Sequence, residues 1–205
     1  MATFETRLAQ IRRVLEEATE GVWDDDTLMS FYNDALMDIA AQTKDDYWLK
    51  SYAFNSATST QGYARPSYDY EPVMLVRAAS YRMTRITPEE LTGRALSATS
   101  ADPYWYYVTG GTIYLYPTPT TAASYTYYSH RHPLTVVSTS STVDCPAHMM
   151  RVVDAYTLAR AYEQVGEWDS ARAQQENYDR FLSDIFGQSV AQRAGDYPHS
   201  PKVVY

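Results

Sequence analysis

A few residue groups have types and spacings that could support chemistry. Asp24, Asp25 and Asp26 form an acidic run that could ligate a cation or serve as an acid–base set. They stand at the start of a predicted helix, where carboxylates cap free N–H groups and meet the positive end of the dipole, so capping is the favoured reading. Glu89 and Glu90 invite a paired-carboxylate reading, yet Thr87-Pro88-Glu89-Glu90 is also a capping box with proline at the first helical position. His130 and His132 are two apart, so on a strand they share a face at a spacing that suits zinc, with Cys145 or His148 as a further ligand. The plainer alternative is a pair of polar strand-edge residues before Pro133. Cys145 as a nucleophile would need a partner histidine and oxyanion donors in a recognisable context, and the sequence provides none. No G-x-S-x-G, G-x-G-x-x-G, phosphate-binding loop or H-E-x-x-H pattern occurs. The expectation is a protein that is not an enzyme and carries no metal or cofactor.

Composition points to contact surfaces instead. The 205 residues include 20 Tyr, 4 Trp and 5 Phe. Tyrosine joins a large apolar ring to a polar tip, which suits surfaces that are wet when free and covered in a complex. A single cysteine excludes an internal disulfide framework, and no stretch approaches the roughly 18 apolar residues of a membrane span. The expectation is a soluble protein made in a reducing cytoplasm. Of the net charge of −8, residues 1–46 contribute −7, with 4 Lys/Arg against 11 Asp/Glu. No basic cluster of the kind that neutralises phosphates is present, which disfavours tight nucleic-acid binding.

The elements that would hold these residues follow from periodicity. Phe4, Leu8, Ile11, Leu15 and Ala18 form one apolar stripe on a helix over 3–19, and Leu28, Phe31, Tyr32, Ala35, Leu36 and Ile39 repeat it over 26–42. Further helices are expected over 146–165 and 168–186, the last with Trp168, Ala171, Tyr178, Leu182 and Ile185 on its stripe. Between the helical pairs, residues 47–142 read as short strands and loops, with a short helix over 88–96 and a hairpin turning at Gly110-Gly111. Residues 188–205 lack a period and read as an extended tail. The predicted fold is α+β but mainly α. Two helical hairpins form a four-helix-bundle-like core, the β-rich segment is an insertion, and residues 1–187 make a single domain.

Strand alternation sets Trp105 and Tyr107 apart from Tyr104 and Tyr106, Tyr114 and Tyr116 apart from Ile113 and Leu115, and Tyr128 apart from Tyr125 and Tyr127. Trp105, Tyr107, Tyr114, Tyr116 and Tyr128 are therefore the candidates for an aromatic surface between subunits, the alternative being a sheet covered by the protein's own helices. In the tail, Tyr197, Pro198, Pro201, Val203, Val204 and Tyr205 are an unusually apolar set, open to docking on a partner or to plain disorder.

Several of these stretches carry a family likeness. They are W-D-D-D-x-L-x-x-F-Y-N-D-A (23–35), Y-R-M-x-x-I-T-P-E-E-L (81–91), G-G-x-I-Y-L-Y-P-T-P (110–119) followed by Y-x-Y-Y (125–128), and the D-x-P…A-Y-x-L-A-R-A-Y-E-Q-V-G-E run (144–167) continued to Y-D-R-F-L (178–182). Over residues 23–186 the chain resembles bacteriophage head–tail adaptor (connector) proteins. The resemblance implies an adaptor-like domain over 1–187 in a ring, usually dodecameric, docked on the capsid portal in the virion neck. It also implies a downstream face for a tail, nozzle or tail-completion protein, and an extended C-terminal arm, here 188–205, that inserts at the portal or meets a neighbouring adaptor. DNA would pass through without specific binding. An acidic wall repels phosphates, so Asp24, Asp25, Asp26, Asp45 and Asp46 are candidates for the lumen. The rival readings are another neck or tail-completion component, a phage cell-wall hydrolase using carboxylates of the β segment, and a peptide-binding helical scaffold.

Overall fold

The computed structural model describes residues 2–16, 21–67, 69–77, 81–91 and 98–195, with side chains described through residue 187. The chain divides into two compact units, residues 1–43 with 133–205 and residues 44–132.

The first unit is helical: α1 (Phe4–Val14), α2 (Asp25–Thr43), α3 (Met150–Gln164) and α4 (Trp168–Gly195). Its core is the set of stripe residues, among them Leu8, Ile11, Leu28, Leu36, Ile39, Val152, Val153, Leu158 and Ala159, all buried. The central helix is α3, which packs along α2 and α4 and meets α1. At 11 residues α1 is short, and its ring Phe4 reaches Tyr32 of α2 edge-on at 5.1 Å. Cross-links fasten the unit: Arg7 pairs with Asp154, Trp23 Nε1 donates to the Ala161 carbonyl at 3.0 Å, and the Asn33 amide makes two hydrogen bonds with the Val136 backbone. Gly166, with φ +79°, turns the chain from α3 into α4.

The second unit is built of sheets. One has the order β1 (Leu49–Asn55), β10 (Ser124–Arg131), β3 (Asp69–Arg77), β4 (Tyr81–Arg82). Another runs β2 (Gly62–Ala64), β8 (Thr112–Tyr116), β7 (Trp105–Thr109), β5 (Thr84–Arg85), and a two-stranded piece joins β6 (Thr99–Ser100) to β9 (Thr118–Pro119). β7 and β8 make the expected hairpin: Thr109 pairs with Thr112 across Gly110 and Gly111, whose φ angles of +56° and +76° favour glycine. Leu75, Tyr125 and Tyr127 of the first sheet form one buried cluster with Tyr106, Ile113 and Leu115 of the second and with Met83.

This arrangement overturns the expectation of a mainly α protein with a four-helix-bundle-like core. The β segment has a core of its own between two sheets, so the fold is α+β with a β-rich unit rather than helices carrying an excursion. The short, serine- and proline-punctuated strands read as peripheral because each buries only alternate residues; two facing sheets make those alternate residues a closed layer. Helix α1 meets α3 and also reaches α2, through Phe4 on Tyr32 and Arg12 on Asp25. The helix expected over 88–96 is a 3-10 turn, Pro88–Leu91, and residues 92–97 lie outside the described ones. Helix α4 continues to Gly195, past the expected start of the tail at residue 188.

Candidate interaction surfaces

The hairpin register places Trp105 opposite Tyr116 and Tyr107 opposite Tyr114, so all four rings share the sheet face turned away from the core. They stack in pairs. Tyr107 and Tyr114 lie 4.8 Å apart and 5° from parallel, and Trp105 and Tyr116 lie 5.9 Å apart at 19°. The chain itself covers part of this face: Ile86 and Leu91 are buried with Tyr116, and Ala98, Trp105 and Tyr107 pack against them. Tyr116 is thus buried, while Trp105, Tyr107 and Tyr114 stay half-buried. Burial pushes the Tyr107 hydroxyl pKa up, reinforced by its neighbour Tyr114. Tyr128 does not join them. It sits on β10 in the other sheet, opposite Ser51 and Met74 on the face away from Tyr127.

The acidic residues have local partners. Asp24 accepts from the Thr27 N–H at 2.6 Å, and hydrogen bonds from Thr27 hold its carboxyl below the ordinary range. Asp25 pairs with Arg12, and Asp45 caps the 3-10 turn Asp46–Trp48 by accepting from Tyr47 N–H at 2.8 Å. Asp26 and Asp46 are exposed. The capping box also forms, with Glu90 Oε2 accepting from Thr87 N–H at 2.6 Å. Hydrogen bonds from its own N–H and then from the Thr87 side chain hold the Glu89 carboxyl low.

The histidine reading finds no metal geometry. Among the described residues no group of three His, Cys, Asp or Glu could hold an ion. His132 stacks on Tyr70 at 4.9 Å, and His130 is buried, which lowers its pKa. Cys145 is buried as well, and His148 is exposed. The tail candidates Tyr197, Pro198, Pro201, Val203, Val204 and Tyr205 lie outside the described residues.

Two features were missed by periodicity. The first is a polar triad inside the β unit. Asp69, whose side chain is fully buried, binds Arg65 Nε at 2.5 Å and accepts from the Tyr127 hydroxyl at 2.7 Å. Desolvation, with the Asp69 carboxylate adding to it, pushes the Tyr127 hydroxyl pKa far up. The second is Trp168. Its place on the α4 stripe suggests burial, yet it stands in the first turn of the helix and is 66% exposed.

A family model described as SU10 adaptor protein matches residues 2–203, nearly the whole chain. The chain belongs to that family. No curated protein matches it. Membership makes it a bacteriophage adaptor-type protein with a structural role in the virion. Among the described residues no helix is long and apolar enough to cross a membrane.

Proposed function

We propose that this SU10 adaptor family member forms a ring in the virion neck that joins the capsid portal to the tail and continues the DNA channel. The family match across residues 2–203 carries this reading. The half-buried stacked rings Trp105, Tyr107 and Tyr114 support it as surface for a neighbouring subunit, and Tyr128 offers a second such position on the other sheet. Burying aromatic area at about 25 cal/mol per Å², less the cost of ordering, drives assembly. The residues after Gly195 act as the arm that contacts the portal or an adjacent subunit. The acidic side chains Asp24, Asp25, Asp26, Asp45 and Asp46 face the channel, where they let DNA slide without gripping it.

Electron microscopy of the protein co-expressed with its portal tests this. The expected result is an added ring matching the portal's rotational symmetry, lost when residues 196–205 are deleted while the truncated chain keeps its fold. A well-folded protein that adds no density to the portal refutes the ring.

A further inference from the structure

Among the described residues the helical unit leaves an apolar end exposed at the α3–α4 turn. Tyr162 of α3 donates its hydroxyl to the Val14 carbonyl at the end of α1 at 3.3 Å, and the Glu167 N–H returns to the Tyr162 carbonyl at 3.0 Å. These bonds gather Val14, Val165 and Trp168 around the α3–α4 turn, exposed by 47%, 38% and 66%. Beside them lies an open pocket of about 450 Å³ lined by Gly166, Glu167, Trp168, Asp169 and Ser170. Its rim is acidic: Glu167 and Asp169 flank the indole, and Glu167 and Glu16 both act on the Tyr162 hydroxyl, adding to the effect of its burial. An exposed tryptophan among carboxylates fits a ligand with compact apolar rings next to a cation.

The chain carries such a segment in Pro198-His199-Ser200-Pro201-Lys202. In a polyproline II conformation, with three residues per turn, Pro198 and Pro201 fall on one side and Lys202 follows directly. Proline rings on an aromatic face, with a basic residue held by carboxylates, are a recurrent mode of peptide recognition. The segment cannot reach its own Trp168. Helix α4 runs 28 residues from Trp168 to Gly195, about 40 Å at 1.5 Å per residue. The six residues from Gly195 to Pro201 span at most about 20 Å. Only another copy brings the two together.

We infer that Pro198–Lys202 of one subunit docks on Trp168 of the next, with Lys202 between Glu167 and Asp169. This rests on the ring reading and names one of the contacts that would close the ring. The arm then links subunits in series, and each subunit both gives a segment and receives one. A head-to-tail contact of this kind closes into a ring when its rotation does.

The test uses the full chain with Ser170→Cys and Ser200→Cys, assembled with its portal and oxidised. The expected result is a ladder of disulfide-linked multimers on non-reducing gels. Trp168→Ala or Lys202→Glu reduces the cross-linked fraction at least tenfold, and Lys202→Glu combined with Glu167→Lys and Asp169→Lys restores it. Because Trp168 is largely exposed, its substitution leaves the helical circular dichroism intact. Rings seen by microscopy without a ladder, or a cross-link confined to single chains, overturn this docking and leave the ring reading standing. Neither rings nor a ladder removes both.

Discussion

The two units build their interiors from different materials. The helical unit closes chiefly on aliphatic and alanine side chains such as Leu8, Leu28, Leu36, Val152 and Ala159, with Phe4, Trp23, Tyr32 and Tyr178 buried among them. The β unit closes on tyrosines: Tyr106, Tyr125 and Tyr127 are buried with Leu75, Ile113 and Leu115. A buried phenol fills as much volume as any ring but brings a hydroxyl that needs a partner, so this core must contain polar machinery. Asp69 and Arg65 supply it at Tyr127. Part of the aromatic excess that first suggests contact surface is therefore interior, while the outward rings of β7, β8 and β10 and the exposed Trp168 remain for partners.

The contrast can be broken most severely at Asp69. Asp69→Ala leaves Arg65 and the Tyr127 hydroxyl without their shared partner, and removing one member of a buried pair costs about 3–5 kcal/mol. Urea denaturation should show that loss in the β unit's near-ultraviolet signal, while the helical signal at 222 nm changes less. In the helical unit the matching injury is a void. Leu36→Ala should cost about 3 kcal/mol, read in the same titration at 222 nm, and it should leave no pH signature.

Tyr127→Phe sharpens the comparison, since it keeps the ring and removes the hydroxyl. A cost of about 1–2 kcal/mol at neutral pH is expected. Alkaline titration acts on both units, because burial raises the hydroxyl pKa values of Tyr106, Tyr125 and Tyr127 and also those of Tyr32 and Tyr178 in the helical unit. The unfolded chain thus loses these protons first, at the ordinary tyrosine pKa near 10, while the folded chain keeps them. Stability is full below about pH 10 and falls as pH rises beyond it, and Tyr127→Phe should flatten that fall. Thermal melts between pH 8 and 11 give the slope. The smallest effect belongs to Glu90→Ala, which removes one exposed capping bond to Thr87 N–H and should cost about 0.5–1 kcal/mol in the same melts.

Local rules carried far along this chain. The helical stripes, the Gly110-Gly111 hairpin, the Gly166 turn and the caps of Asp24 and Glu90 depend on neighbours within a few residues, so spacing reveals them. Alternation alone also sorted the rings of β7, β8 and β10 into opposite faces. Failure came where partners are distant. Met83 and Leu75 meet Tyr106 and Tyr125 only when two sheets close on each other, which no window of ten residues reports. Trp168 has the spacing of a buried residue and is exposed in the first turn of α4.

By itself the sequence determined the periodic elements, their caps and turns, the acidic balance of the first 46 residues and the likeness to phage adaptors. Those properties reside in short-range backbone preference, in composition and in the order of motifs. Tertiary structure alone decided that the β segment has its own interior, that Asp69 is fastened between Arg65 and Tyr127, and how far Ile86 and Leu91 cover the outward rings. Burial depends on what lies opposite, and that is settled by residues far apart along the chain.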